Sequence, residues 1–361
     1  MNVLRSFARP CSNSENKMKL RELFFPYDHR PEHNKALDGL RGWAVLLVLF
    51  GHATNQGLSP WLDGYFISRG KLGVYLFFII SAYLLDKQII QVWQQGKGNW
   101  NYWRYYIGRR IMRIFPPFLL ALITFRLMNE AGYKVVIREW SHVWEHLALM
   151  RGDHIFWSIP TEFRYYLISP LLLLLCLRLF KLQGSNTVRF FTAIILATLL
   201  INHFNELPRH STLRYLGIFA IGTLIAAFET LYQTKFQQFI QSKWLTNLFI
   251  LSLGIFIGWG WASNDFTHSN VYIPAAILWG ILLLASFQEG AWRKFLSFRP
   301  FRFIGAISYS LYLFHIPVLM WIRSLGLSNA IALPAFLSLS IAVAALLHLL
   351  VERPALSLVK K

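Results

Sequence analysis

Long apolar segments separated by short polar connectors run through most of this 361-residue chain. Ten of them can be counted, at approximately residues 38–56, 71–91, 110–129, 163–181, 189–204, 212–230, 245–262, 271–287, 303–323 and 331–351. Most approach the ~20 residues that an α-helix needs to cross a bilayer. The pattern therefore predicts an all-α, polytopic membrane protein with about ten transmembrane helices.

The amino-acid composition points to the same class of protein. Hydrophobic residues make up 55% of the chain and charged residues only 15%, against roughly 25% charged residues in soluble domains. This balance argues against a soluble enzyme and against a disordered chain. The two cysteines are too few for a disulfide framework or a zinc cluster, and we infer no redox role from them.

Membrane topology explains the excess of positive charge. The chain has 36 Lys and Arg against 17 Asp and Glu, which gives a net charge of +19. With the N-terminus in the cytosol, 26 of the 36 basic residues fall on the cytosolic side and nine on the other, as the positive-inside rule requires. We therefore expect both termini in the cytosol and no nucleic-acid partner.

A single membrane domain is expected over residues 36–354. A cytoplasmic tail of residues 1–35 precedes it, and a cytoplasmic tail of residues 355–361 follows it. The first 40 residues hold no apolar run long enough for a secretory signal peptide. The connectors are short, so we expect no separate soluble domain between the helices.

Polar residues inside the apolar segments are predicted to meet near the middle of the membrane. His52 follows Arg41 by eleven residues, which places both within about 20° on one helical face and about 16 Å apart along the axis. Ser81 and His315 reach comparable depths on the second and ninth segments, and Ser308 shares a face with His315. Because such side chains cost about 2.5–3.5 kcal/mol in hydrocarbon, they predict a reaction centre or a proton path. Hydrogen bonding between helices is the alternative role for Ser81 and His315.

An arginine cluster opens the third segment. Arg109, Arg110 and Arg113 lead into the sequence Ile-Phe-Pro-Pro, and Arg110 and Arg113 are i,i+3 neighbours on one helical face. Guanidinium groups grip phosphates through paired hydrogen bonds, so the cluster and Arg41 predict a site for a polyanionic cytosolic ligand. An anchor for anionic lipids is the alternative interpretation.

Residues 130–163, named the long connector here, form the longest stretch between apolar segments and are rich in Trp and His. Trp157 suits either an interfacial aromatic belt or a floor on which a sugar ring stacks. Glu162 suits either a first-turn carboxylate favoured by the helix dipole or a group that orients a histidine or an acceptor hydroxyl. With the adjoining Ser158, these residues predict the mouth of a site.

The long connector also contains a five-residue metal-binding pattern. His142-Val-Trp-Glu145-His146 matches the H-x-x-E-H arrangement in which two histidines bind zinc beside a base. So short a pattern arises easily by chance in a histidine-rich stretch. A metalloprotease therefore stands only as a competing hypothesis, and we expect no metal.

Taken together, these motifs resemble the acyltransferase-3 family of integral membrane acyltransferases over roughly residues 34–354. The matching segments are residues 37–42 with His52 (an R-x10-H signature), 73–84 (FFxxSG), 109–116 (RxxR), 157–166 (WSLxxExxFY), and 308–315 with 352–354 (the closing signatures). The second segment carries Ala82 where glycine is usual and Tyr75 where an aspartate is frequent. Five motifs in this order on a ten-helix frame make a specific match.

The resemblance implies transfer of an acyl group, commonly acetyl, from cytosolic acyl-CoA to a hydroxyl of a glycan or glycolipid at a bacterial inner membrane. It also implies that His52 and Arg41 are essential and that the RxxR arginines meet the phosphates of CoA. Many members carry an extracytoplasmic SGNH hydrolase-like domain, which we do not expect in this protein. Any such partner is therefore expected to be a separate periplasmic protein.

From these observations we assign expected roles to eleven residues. They are catalytic His52, Glu162 and His315, donor-binding Arg41, Arg109, Arg110 and Arg113, and substrate-binding Ser81, Trp157, Ser158 and Tyr309. In this hypothesis the arginines hold the donor phosphates, and His52 acts as general base or as covalent acyl carrier. The alternative is a transporter or flippase of lipid-linked sugars, with the histidines as proton carriers.

Overall fold

A computed structural model describes residues 23–26, 28–29, 33–58, 66, 69–181, 184–262 and 269–359. Within these ranges all regular secondary structure is helical, which confirms the prediction of an all-α chain. Most of the predicted N-terminal tail and the last two residues of the predicted C-terminal tail lie outside the described residues.

Fifteen α-helices are described. In chain order they are α1 (Lys35–Asn55), α2 (Gly70–Gln94), α3 (Trp100–Glu130), α4 (Trp140–Leu147), α5 (Ser158–Phe180), α6 (Gly184–Phe204), α7 (Thr212–Leu231), α8 (Gln233–Ile240), α9 (Lys243–Ala262), α10 (Ser269–Ala285), α11 (Ala291–Leu296), α12 (Arg299–Ala306), α13 (Ser308–Ser324), α14 (Asn329–Leu347) and α15 (Arg353–Ser357). A 3-10 turn at His154–Trp157 leads into α5, and a π-helical turn at His348–Glu352 joins α14 to α15.

Every predicted apolar segment coincides with a helix, but the predicted count of about ten membrane spans is not confirmed. Among the described residues, seven helices are long and apolar enough to cross a membrane, and the number reaches nine if each of two bent helix pairs counts as one span. The bent pairs are α8 with α9, at 61°, and α12 with α13, at 78°. The remaining segment is the shorter apolar helix Val271–Ala285. On which side of a membrane each terminus lies stays a prediction.

Close backbone contact fixes the position of α12 against α1. A Cβ atom added at Gly42 would lie 2.1 Å from the carbonyl oxygen of Phe301, and one added at Gly305 would lie 1.8 Å from that of Asp38. Only glycine allows such an approach, as in other small-residue helix contacts. Because α13 starts directly after α12, this contact carries Ser308 to the same face of the bundle as Arg41.

The first turn of α13 is capped by a distant residue. Ile307, at the N-cap position, offers no side-chain acceptor. Instead, the carboxylate of Glu352 accepts hydrogen bonds from the backbone N–H of Ser310, at 2.8 Å, and from the Ser310 hydroxyl. A carboxylate at this place satisfies an otherwise unpaired backbone donor and suits the positive end of the helix dipole. His348 holds the other oxygen of Glu352 at 3.0 Å.

A buried carboxylate on α2 joins this helix to α5 and α7. Asp86 is fully buried and accepts hydrogen bonds from Tyr165 (2.6 Å), Thr223 (2.5 Å) and Ser169. Since Asp86 lies on α2, Tyr165 and Ser169 on α5, and Thr223 on α7, the three helices share one polar anchor. Satisfied buried networks of this kind fix a unique packing. They hold α5, and with it Glu162, against α2.

Large apolar side chains cover the outside of the bundle. Exposed examples on α5, α6 and α9 are Leu171, Leu175, Leu196, Leu200, Ile250 and Leu251. A water-soluble monomer rarely exposes so much contiguous apolar surface. The surface therefore suits a lipid environment.

Candidate active site

A small polar cavity lies between α1, α2, α3, α5 and α13. It has a volume of about 60 Å³, which is room for a few water molecules. Its lining residues are Arg41, Val74, Phe77, Phe78, Ser81, Arg113, Ile114, Ser158, Ile159, Glu162, Tyr166, Ser308, Tyr309 and Tyr312. Six of the eleven residues predicted for the site therefore share this cavity, although they come from five helices.

Two guanidinium groups face this cavity. Arg41 Nη2 donates to the hydroxyl of Ser308 at 3.4 Å, and Arg113 lines the same space from α3. Among the described residues, no acceptor bonds Arg41 Nε, and neither arginine forms an ion pair with a carboxylate. Both arginines are half-buried, and half-buried cations without a paired carboxylate favour an anionic group of a ligand.

The other two arginines of the cluster occupy different surroundings. The guanidinium of Arg110 lies over the rings of Tyr106 and Tyr166, at 5.6 and 5.1 Å from their centroids. Arg109 lies over Tyr105, at 5.7 Å, and does not line the cavity. Arg110 does not line the cavity either, but it contacts a residue that does, Tyr166, whereas the ring under Arg109 belongs to Tyr105.

Glu162 is held from two helices. One of its oxygens accepts hydrogen bonds from Ser81 on α2 and from Tyr166 one turn further along α5, each at 2.5 Å. Tyr166 in turn stacks under Arg110. Ser81 therefore belongs to the Glu162 cavity rather than to the histidine cluster in which its predicted depth placed it.

Three histidines meet beyond this cavity, towards the long connector. The ring of His52 lies 5.0 Å from that of His315 and 5.4 Å from that of His154, measured between centroids. His315 is fully buried, and its Nδ1–H donates to the carbonyl oxygen of Tyr312 at 2.7 Å. With that proton in place the neutral ring carries a lone pair on Nε2, which has no partner among the described residues. The predicted meeting of His52 and His315 is confirmed.

Tyr312 joins the cavity to the histidines. Its hydroxyl donates to the carbonyl oxygen of Ile155 at 2.5 Å and accepts a hydrogen bond from Ser158 at 2.9 Å. Its own carbonyl accepts the bond from His315. One residue thus couples α13, the start of α5 and the orientation of a buried imidazole.

Trp157 and Tyr309 are more enclosed than their sequence positions suggest. Trp157 is 8% exposed, and its ring packs against Phe78 (5.7 Å) and Tyr215 (5.0 Å), so it lies in an aromatic core and not on an interfacial belt. The hydroxyl of Tyr309 donates to the carbonyl oxygen of Ile114 at 2.9 Å, which pins α13 to α3. Tyr309 still lines the cavity.

Comparison with known proteins assigns the chain to a family. The model of a family described as an acyltransferase domain matches residues 34–349. The chain belongs to the acyltransferase-3 family. This confirms the resemblance carried by the sequence motifs. The family and the apolar helices together identify a multi-pass membrane protein.

The chain is similar to proteins named as O-acetyltransferases. The O-acetyltransferase OatA of Staphylococcus aureus is 25% identical over 330 residues, which cover 82% of this chain and 52% of that protein. A second protein of the same species, provisionally assigned the same activity, is 25% identical over 357 residues, or 88% of this chain and 56% of its own. The chain spans about half the length of these curated relatives. No solved structure matches it significantly.

The zinc pattern of the long connector does not converge on a metal site in this acyltransferase-3 chain. His146 Nδ1 donates to the carbonyl oxygen of His142 at 2.7 Å, and its Nε2 accepts the backbone N–H of Asp153 at 3.2 Å. Glu145 pairs with Arg151 at 2.8 Å. Both ring nitrogens of His146 and the carboxylate of Glu145 therefore form bonds within the connector.

The described residues contain one group with the spacing of metal ligands, formed by Asp28, His33 and Asp38. The guanidinium of Arg302 already bonds Asp28 and approaches Asp38 to 3.4 Å, and His33 Nε2 lies 2.9 Å from Asp38. The group therefore carries its own cation, and it fastens residues before α1 onto α12.

Sequence reasoning missed two members of the site. Tyr312 sits in the S-Y-S-L-Y-L-F-H motif, one turn before His315, and its i,i+3 spacing is a signal that could have found it. His154 lies outside every apolar segment, and only the path of the long connector brings it to His52.

Proposed function

We propose that this protein is a membrane-bound O-acyltransferase that moves an acyl group, in the first place acetyl, from acyl-CoA to a hydroxyl of a cell-surface glycan or glycolipid. The observation that carries the proposal is one shared cavity. It is lined by Glu162 and by two arginines that form no ion pair, and it lies next to the His52–His315 pair. Membership of the acyltransferase family supports acyl transfer, and the relatives' name, O-acetyltransferase, supports an oxygen atom as the acceptor.

Donor binding falls to the arginines in this proposal. Arg41 and Arg113 offer guanidinium forks to anionic oxygens of the donor, and Arg110 adds positive charge from the face of Tyr166. Arg109 contributes from the helix start over Tyr105. The phosphates of CoA stay at the end of the bundle where α3 begins, and the thioester reaches inward towards Ser308.

Bond making requires that a hydroxyl proton be removed as the thioester carbon is attacked. His52 and His315 lie side by side, and the lone pair of His315 Nε2 is oriented by the bond from Nδ1 to Tyr312. An imidazole takes the hydroxyl proton, the ester C–O bond forms, the C–S bond breaks, and the sulfur of CoA takes up a proton. Such a positioned base contributes ~10²- to 10⁴-fold in rate.

Glu162 orders the acceptor side of the cavity. Ser81 and Tyr166 fix the direction of its carboxylate, which can then accept a hydrogen bond from a sugar hydroxyl. Ser158 and Tyr309 line the same wall, and Trp157 supports it from behind. Orientation of this kind raises the rate by positioning the reacting oxygen.

The decisive experiment uses purified protein in nanodiscs with radiolabelled acetyl-CoA and a chloroform–methanol extract of bacterial membranes. CoA release and label transfer are followed for the wild type, His52→Ala and the control His203→Ala, whose exposed ring contacts only Phe204 among the rings described. We expect transfer that needs the extract and His52 but not His203. Equal transfer by His52→Ala would refute the mechanism.

The transporter alternative draws on one feature, the 78° break between α12 and α13, because broken helices near ionisable groups are common in transporters. It predicts movement of a lipid-linked sugar across a vesicle membrane without release of CoA. The same nanodisc assay separates the two, since a transporter leaves acetyl-CoA intact.

A further inference from the structure

His154 stands in an unusual backbone conformation at the end of the long connector. Its φ angle is +50°, in the left-handed region that residues other than glycine rarely adopt. Such conformations persist where the surroundings hold them, and they cluster at functional sites. The side chain is exposed, yet its ring centroid lies 5.4 Å from that of His52.

A network of charged groups holds this conformation in place. Arg151 Nε donates to Asp153 at 2.5 Å, while Arg151 Nη1 donates to Glu145 at 2.8 Å. The backbone N–H of Asp153 donates to the buried ring of His146 at 3.2 Å. The residue directly before His154 is thus fixed by both its side chain and its backbone. Several interactions of the long connector therefore fix the position of one imidazole, that of His154.

The three histidines differ in their access to solvent. His154 is exposed, His52 is half-buried, and His315 is fully buried. Their rings form an unbroken row, because His52 contacts both neighbours. A proton accepted in the buried part of the row therefore has a path of imidazoles to the surface of the long connector.

We propose that His154 is the relay residue that passes the acceptor's proton from His52 to water at the connector face. This inference rests on the proposed acyl transfer. The hydroxyl proton moves to the His52–His315 pair, then to His154 and to water, as the ester C–O bond forms and the C–S bond breaks. The CoA thiolate takes its proton from water at the arginine end, so atoms and charge balance.

Titratable groups from several elements surround His154. The titratable and charged groups around it are His52 on α1, His315 on α13, His146 and Glu145 on α4, Arg151 and Asp153 on the connector, and His210 before α7, which meets Gly152. Arg151 pairs with both Glu145 and Asp153, so this group is tied together by two ion pairs and carries one net negative charge. An imidazole both accepts and donates protons, and the ring of His154 faces that of His52 directly, so its geometry suits a relay.

His154 acts through His52 and does not touch the substrate, so it is a positioning residue whose test must separate relay from scaffolding. The variants are His154→Gln and His154→Ala, with His203→Gln as a matched exposed histidine. The nanodisc assay with radiolabelled acetyl-CoA and membrane extract gives kcat and KM for the donor between pH 5.5 and 9, with and without added imidazole.

We expect both His154 variants to lower kcat about tenfold or more at neutral pH while KM for acetyl-CoA changes less than twofold. Imidazole should restore kcat of His154→Ala as its neutral form increases with pH, and His203→Gln should match the wild type. Unchanged kcat in His154→Gln would overturn the relay, and so would a loss that neither imidazole nor pH alters. If the wild type itself releases no CoA, the proposed acyl transfer fails first, and the relay with it.

Discussion

The hydroxyl of Ser81 on α2 donates to the same oxygen of Glu162 on α5 that also accepts from Tyr166, with both bonds at 2.5 Å. The carboxylate therefore joins two helices and presents a fixed acceptor to the cavity. Each of the three residues was visible as a polar position in an apolar sequence, but their shared bond depends on how α2 and α5 pack.

Changing Glu162 to Gln should reduce turnover by more than tenfold, because an amide cannot accept both hydroxyl bonds on one fixed oxygen and keep its own donors satisfied. Ser81→Ala should have a smaller effect of the same sign, since Tyr166 still holds the carboxylate. CoA release in nanodiscs measures both. Ser340→Ala is the control, because that buried hydroxyl has no partner among the described residues. A Glu162→Gln enzyme with wild-type turnover would contradict the assigned role.

Removing a cavity arginine should weaken donor binding before it affects anything else. Arg41→Ala and Arg113→Ala should each raise KM for acetyl-CoA at least tenfold. Each guanidinium group lines the cavity without an ion-paired carboxylate, so its charge is available to bind the anionic donor. Arg41→Lys should recover only part, since an ammonium cannot form the paired contact. The half-exposed Arg293, which pairs with Glu289 at 3.7 Å, supplies the control Arg293→Ala. An unchanged KM in Arg113→Ala would exclude it from the donor site.

Alanine in place of Gly42 should separate α1 from α12, because its Cβ would fall 2.1 Å from the carbonyl oxygen of Phe301. We expect a loss of about 1–3 kcal/mol of stability, as in overpacked cores, together with lost turnover as Ser308 leaves Arg41. Gly254→Ala is the matched control, because no atom lies within 4 Å of its added Cβ. It should stabilise the protein by about 0.5–1 kcal/mol. Thermal unfolding in detergent distinguishes the two.

The long connector should loosen on acidification. The hydrogen bond from Arg151 lowers the pKa of the Glu145 carboxyl, and the same bond raises the pKa of Arg151. A carboxyl with a lowered folded-state pKa contributes stability above its unfolded pKa and loses it as the pH falls through the folded value. Protection factors of the backbone amides of residues 142–154, which correct for the pH dependence of intrinsic exchange, should therefore fall towards acidic pH in the wild type. In Arg151→Gln these protection factors should be low at every pH, whereas the exposed Arg138→Gln should behave as the wild type does.

Helical arithmetic predicted the contacts that lie within long, regular helices. Spacing placed His52 and His315 at a common depth, with Arg41 on the face of His52 and Ser308 on the face of His315, because a helix fixes angle and rise. That the two faces pack together, bringing Arg41 to Ser308, depends on the packing of the helices. His154 could not be reached in this way, since its place depends on a left-handed residue and a folded connector. The enclosure of Trp157 also escaped prediction, because its aromatic neighbours come from α2 and α7.

The bond between Glu352 and Ser310 sets the order in which the site can be completed during synthesis. Glu352 follows Ser310 by 42 residues, and the whole of α14 lies between them. When α13 leaves the ribosome, its first turn still lacks the carboxylate that caps it. The first turn of the helix that carries His315 therefore acquires its cap only after α14 has been made, so the wall of the cavity that Ser308 and Tyr309 form is completed last.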